Sequence, residues 1–301
     1  MVLRPDSAII KHKVRKRGFR IRTMWGRRVT ITEDHSLFAR APDGTAKAVF
    51  GHQLQAGDLI AVPRCIPVRE KPLLPFRISK KLCEYDISLT VSGSGVTQWV
   101  DAHEARIRSW LLERGVTSRQ HYSVISRYRQ VGRIPLALSH ALEMDDALVD
   151  QAFVSFGKGV RDEITEIDKL LWILGFYLAE GCLVYRERSD YQLIFSSDMR
   201  SLRKLVGFVH DVFDVDTSIR PADTANHRSP SVNLRSRVIV ELVVHSFGFG
   251  SELSTRKHIP SWILQLPKSQ LVHFLQGFWE GDGNHNAKTT GNKLIFNSSS
   301  P

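Results

Sequence analysis

Cysteine is scarce in this chain, with Cys65, Cys83 and Cys182 the three among 301 residues. Odd in number and far apart, they build neither a disulfide framework nor a CxxC metal site. A reducing, cytoplasmic-type compartment is the expectation. Long apolar runs are missing too. The longest, Leu170 to Ala179, falls well short of the about 20 residues that span a bilayer. The opening Met1-Val-Leu-Arg-Pro-Asp has no apolar stretch of the kind a signal peptide needs. Neither a membrane partner nor secretion is predicted, and no composition bias points to disorder. Acidic residues are also in short supply. There are 31 Asp and Glu against 42 Lys and Arg, a net charge of +11.

The excess charge is uneven. Residues 1–40 carry eleven Lys and Arg against three Asp and Glu, and residues 106–133 carry seven Arg against one Glu. Basic stripes of this kind track a phosphate backbone or form a solvated basic surface.

Three regions follow along the chain: 1–71, 72–164 and 165–301. The first reads as all-β. "FRIRTMWGRRVTIT" is two alternating runs joined at Gly26, "APDGTAKAVF" holds a Pro-Asp-Gly turn, and "LQAGDLIAVPR" gives a further turn and strand. The second reads as helical and Arg-rich. "ARIRSWLLERG" ends at Gly115, and "TSRQHYSVISRYRQVGRIPL" gives two short helical pieces stopped by Gly132 and Pro135. This part resembles a helix-turn-helix that would place Arg119, Arg127, Arg129, Arg133, Tyr122 and Tyr128 against DNA phosphates and bases. An exposed basic helix pair that only bridges domains is the alternative.

From Thr165 the order is αββαββα, closing at Gly248. Thr165 and Asp168 form a capping-box-like start, and Asp198 caps a second helix. A second αββ begins near Ser269. This is an internal repeat whose second copy is incomplete. The fold class is α+β.

Two stretches carry the chemistry: "ILGFYLAEG" (Ile173 to Gly181) and "FLQGFWEGDG" (Phe274 to Gly283). Aligned on Gly175 and Gly277, they are offset by 102 positions, which matches Glu180 to Asp282 and Gly181 to Gly283. Both are apolar nearly all round, so each helix must be covered on both sides. A glycine inside a helix costs about 1 kcal/mol relative to alanine. Close approach of two helix backbones at Gly175 and Gly277 accounts for it. Side-by-side helices would bring Glu180 and Asp282 together at their C-terminal ends. Like charge and the helix dipoles would then raise both pKa values. Divalent magnesium relieves such crowding, and paired acids holding metal on a phosphate suit phosphodiester cleavage.

The two stretches resemble the paired dodecapeptide motifs of LAGLIDADG (DOD-type) homing endonucleases. The resemblance implies that Glu180 and Asp282 are catalytic and bind Mg2+, with Gly181 and Gly283 grouped at the same metal site. "RKHIP" resembles the Lys-x-x-Pro element of intein-borne members, which makes Lys257 a catalytic or water-positioning residue. Glu180 departs from the usual Asp.

At the front, Thr32 and His35 stand in a TxxH spacing, with "GDLIAVPR" following at 57–64. Together they resemble the hedgehog/intein splicing domain, in which these residues assist the N-terminal acyl shift. Splicing also needs a Cys or Ser start and a terminal His-Asn. "NHN" at 284–286 lies inside the endonuclease repeat and does not serve. The expectation is a partial splicing domain with an embedded endonuclease, an intein lacking both ends. It would cut both strands of a specific double-stranded DNA site with Mg2+, and it would not splice alone. Host exteins would be partners of the full-length form, and another chain would complete the second repeat. The alternative is a DNA-binding or inert intein remnant without nuclease activity.

Overall fold

A computed structural model describes residues 13, 15–24, 26–62, 68–85, 87–154, 159–186, 190–223, 225, 228–250, 257–286 and 293–296. The chain divides into two compact units, Met1–Arg69 and Glu70–Pro301.

The first unit is built of two hairpins. β1 (Gly18–Arg22) pairs with β2 (Arg28–Thr32), and β3 (Ser36–Arg40) pairs with β4 (Ala46–Phe50), both antiparallel. The turns fall at Gly26 (φ +79°) and Gly44 (φ +86°), in the left-handed region that favours glycine. The expected strand near Ile60 shrinks to a single bridge with Ala39. Among the described residues of this unit, Ile31 and Ala39 are the buried apolar side chains.

The second unit opens with β5 (Phe76–Arg77) and α1 (Ile78–Leu82). β6 (Leu89–Ser92), α2 (Val96–Ala102), α3 (Glu104–Glu113), α4 (Ser118–Val131), β7 (Arg133–Pro135), α5 (Leu136–Ala141), β8 (Gln151–Val154), β9 (Val160–Arg161) and β10 (Glu163–Ile164) follow. The region expected to be helical therefore also holds a four-stranded antiparallel sheet, ordered β7-β6-β8-β9. Its strands are two to four residues long and show no usable alternation. The two pieces expected at 117–135 are one helix, α4. The backbone N–H of Thr117 donates to the Gln120 side chain at 3.2 Å at its start, and left-handed Gly132 closes it. Pro135 lies in β7 instead of ending a helix.

α6 (Ile167–Glu180) leads into β11 (Gly181–Arg186) and β12 (Asp190–Ser196). α7 (Met199–Phe213), β13 (Ile219–Arg220), β14 (Ser231–Leu234) and α8 (Arg237–Glu241) complete the αββαββα order, and a single π turn runs on to Ser246. The sheet order is β11-β12-β14-β13. Leu183, Leu193, Phe195, Val232 and Leu234 point inward and are buried, as alternation along strands requires. Asp198 caps α7 by accepting from the backbone N–H groups of Arg200 and Ser201. The Thr165–Asp168 box does not form. Glu166 takes the cap position of α6 without a side-chain bond, and Asp168 lies 3.4 Å from His273 instead. α9 (Lys268–Asp282) then runs directly into β15 (Gly283–Asn286), which pairs with β16 (Lys293–Phe296).

One continuous apolar core joins residues 78–164 to the repeat. Within the second unit, Tyr85 donates to the His245 carbonyl at 2.8 Å, and the Gln270 side chain makes two 2.8 Å bonds to the Leu73 backbone. Among the described residues, no helix is long and apolar enough to cross a membrane.

Candidate active site

The site begins with two glycines. A Cβ on Gly175 would lie 1.9 Å from the Phe274 carbonyl oxygen, and one on Gly277 would lie 2.0 Å from that of Trp172. The next contacts are the backbone nitrogens of Phe278 and Phe176, at 2.9 and 2.8 Å. Trp172 and Phe176 match Phe274 and Phe278 at the 102-residue offset. The contact is therefore reciprocal, with each helix presenting to the other what it receives. α6 and α9 touch backbone to backbone, and a side chain at either glycine would separate them.

Gly181 and Gly283 have a different reason to be glycine. Both are extended, with φ −82° and −78°, so backbone freedom is not the cause. An added Cβ would lie 2.3 Å from the ring of Tyr177 or Trp279, four residues back. The ring folds over the helix end, and only glycine leaves room. Each glycine ends its helix and starts a strand in one step. The acids Glu180 and Asp282 are thereby the last helical residues.

The acids come together. A Cβ on Gly281 would stand 2.6 Å from the Glu180 Cγ, so the end of α9 lies on the Glu180 side chain. The pKa of Glu180 is raised by burial first and by Asp282 second, with Lys257 opposing and Asp198 adding. Burial raises that of Asp282, again against Lys257. Like charge contributes at Glu180 alone, and lost solvent is the larger cause in both acids.

Lys257 enters at the same end. Its ammonium donates to the carbonyls of Tyr177 at 3.2 Å, Leu178 at 3.4 Å and Gly181. These are carbonyls of the last turn of α6, where a cation meets both unpaired acceptors and the negative dipole end. Burial lowers its pKa, while Cys182, Asp282 and Glu180 hold it up. Lys257 thus caps the helix that carries Glu180 while standing within electrostatic reach of both acids.

Among the described residues no group of three or more His, Cys, Asp or Glu side chains is placed to hold a metal ion. A fully protein-caged ion such as calcium, with six to eight oxygen ligands, does not fit this pair. Magnesium does, because it is held by one or two carboxylates and keeps waters and substrate oxygens.

Two features are not evident from the sequence. Strand register puts Cys182, Val184, Gln192, Ile194, Ser196, Asn233 and Arg220 on the sheet face away from the helices. The alternation in "YQLIFSS" is the signal that would have found this outward face. The second is Glu280, present in the motif but given no role.

The other expected residues lie apart. On α4, Arg119, Tyr122 and Arg127 are exposed. Arg129 pairs with Asp101 (2.6 Å) and Glu104 on a part-exposed surface. The Arg133 guanidinium sits 3.4 Å over the Phe153 ring. Tyr128 packs on the core, and burial raises its pKa. Arg129, Arg133 and Tyr128 thus each contact neighbouring side chains of the protein, whereas Arg119, Tyr122 and Arg127 are exposed. In the first unit, Thr32 ends β2, and its hydroxyl donates to Asp34 at 2.8 Å. The His35 backbone N–H meets the Thr32 carbonyl at 3.1 Å, and its side chain is exposed. The side chains of Asn284, His285 and Asn286 lie outside the described residues.

No protein-family profile matches the chain. It is similar to curated proteins from Thermococcus. A DNA polymerase of Thermococcus hydrothermalis is 34% identical over 120 residues, covering 35% of this chain and 7% of that protein. A DNA polymerase of Thermococcus kodakarensis is 39% identical over 335 aligned residues, covering 93% and 19%. The DNA polymerase II large subunit of the same organism is 22% identical over 296, covering 94% and 15%. The chain spans less than a fifth of the length of each.

Proposed function

We propose that this chain is the endonuclease-bearing part of an intein, cutting double-stranded DNA at a specific site with Mg2+. The observation that carries the reading is the reciprocal glycine contact, which sets Glu180 and Asp282 side by side with Lys257 at one end of a helix pair. Glu180 and Asp282 would hold the metal ions, and the ions would supply Lewis-acid stabilisation of a phosphodiester and a bound water of lowered pKa. The chain's own residues do the rest. Burial strips water from the acids, and Lys257 holds the Glu180 turn and offsets their charge. The sheet face away from the helices, on which Cys182, Ser196 and Arg220 are exposed, suits contact with base edges, which carry the sequence information. Arg119, Tyr122 and Arg127 suit phosphate contact.

The similarities support an inserted element over polymerase machinery. Over nine-tenths of the chain aligns to under a fifth of two differently named polymerases of one organism. That pattern suits a segment carried by different hosts. Thr32 and His35 would then serve splicing within a longer polypeptide whose flanks are the host exteins.

The test uses supercoiled plasmid carrying the Thermococcus kodakarensis polymerase coding sequence with the aligned segment removed. With Mg2+, wild type is expected to nick and linearise it. Asp282→Asn is expected to lose all nicking while retarding the same DNA in a gel. Retained cleavage by Asp282→Asn would remove Asp282 from the chemistry.

A further inference from the structure

The two acids sit at matched positions, yet their helix turns are held by different devices. The turn bearing Glu180 is gripped by Lys257. The turn bearing Asp282 carries Glu280, whose twin in the first copy is Leu178. Leu178 packs on the apolar core. Glu280 instead reaches α7, where Lys204 meets one carboxylate oxygen at 3.1 Å and the Ser201 hydroxyl meets the other at 3.3 Å.

Ser201 is buried, at 2% exposure. Its hydroxyl has one proton and stands between two carboxylates, 2.7 Å from Asp198 and 3.3 Å from Glu280. The proton serves the nearer Asp198. The countercharge for Glu280 therefore comes from Lys204, whose ammonium is itself fixed 4.6 Å over the Trp172 ring of α6. A three-helix brace results, running from α6 through α7 to α9. On a helix, residues two apart point about 200° from each other. Pinning Glu280 against α7 therefore turns Asp282 to the opposite side, toward Glu180.

We infer that Glu280, locked by Lys204, is the positioning residue for Asp282, and that it makes the two halves of the metal site unequal. This rests on the reading of Glu180 and Asp282 as a magnesium site. Groups that orient metal ligands change affinity about 10–100-fold when removed. Restoring the twin's residue, Glu280→Leu, would release the last turn of α9 while leaving the glycine contact untouched.

Terbium(III), a hard cation that prefers oxygen, tests this without DNA. Its emission is sensitised by tryptophan, and Trp279 lies in the same turn. The full-length wild-type chain is expected to give emission that Mg2+ displaces and that Asp282→Asn abolishes. Glu280→Leu and Lys204→Met should each bind terbium about tenfold more weakly, with melting temperatures close to wild type. Lys204→Arg should bind as wild type does. If Glu280→Leu and Lys204→Met bind like wild type while Asp282→Asn does not, the positioning role is overturned and the metal site stands. If wild-type emission is indifferent to Glu180 and Asp282, the metal reading fails and the positioning role fails with it.

Discussion

Burial, more than mutual repulsion, makes Glu180 and Asp282 unusual acids. Their pKa values are raised on folding, so the folded chain binds more protons than the unfolded one over that range. Stability must then fall as pH climbs from the ordinary carboxylate value through the raised one. The loss grows as pH climbs through the raised values and is absent below the unfolded value of about 4. Glu180→Gln and Asp282→Asn remove the cost. Each variant is expected to melt above wild type at pH 7 and with it near pH 3, when melting curves are compared across that interval. Magnesium should act in the same sense on wild type alone, adding about 2.7 kcal/mol when free metal is a hundredfold above Kd. A variant that melts below wild type at neutral pH would mean that the carboxylate braces the fold instead of straining it.

The strut that delivers these acids is decided at two backbone contacts. An alanine methyl at either glycine would stand 1.9 or 2.0 Å from a carbonyl oxygen. It would have no direction of escape, because the obstacle is main chain. Gly175→Ala and Gly277→Ala are each expected to destabilise by about 3 kcal/mol or more, at the upper end of overpacking costs. Gly207 is the control. It lies exposed in α7 with nothing within 4 Å of an added Cβ, so Gly207→Ala should stabilise by about 1 kcal/mol through helix propensity alone. Urea unfolding of the three variants separates the cases by sign. This contact is legible in the sequence because glycine in an apolar helix demands a reason and the offset of 102 residues supplies the partner. The brace through Glu280 is not, since nothing local to Glu280 names α7, 76 residues away, as its neighbour. The sheet of the middle region is hidden for a related reason. Its strands come from 89–92, 133–135, 151–154 and 160–161, each too short for a period and joined by pairing that only the tertiary fold determines. The sequence reads as two pieces because Gly132 and Pro135 both mark stops, but Gly132 alone ends a helix and Pro135 pairs in β7.

At the scale of the whole molecule, a net charge of +11 invites a polyanion, but charge count does not say which cations meet it. Arg119 and Arg127 stand on the exposed side of α4, whereas Arg129 is committed to Asp101 and Glu104. Each phosphate contact contributes about 0.9 to the slope of log K against log salt. The double variant Arg119→Ala/Arg127→Ala is therefore expected to lower that slope by about 1.8, and Arg129→Ala should leave it unchanged. Titrations of one duplex at several salt concentrations give the three slopes. An unchanged slope in the double variant would move the phosphate contacts off α4 and leave the sheet face away from the helices to hold the DNA. A drop for Arg129→Ala equal to that of a single exposed arginine would mean that the ion pairs with Asp101 and Glu104 open when DNA arrives. The basic helix would then be a surface remade by binding instead of one preformed for it.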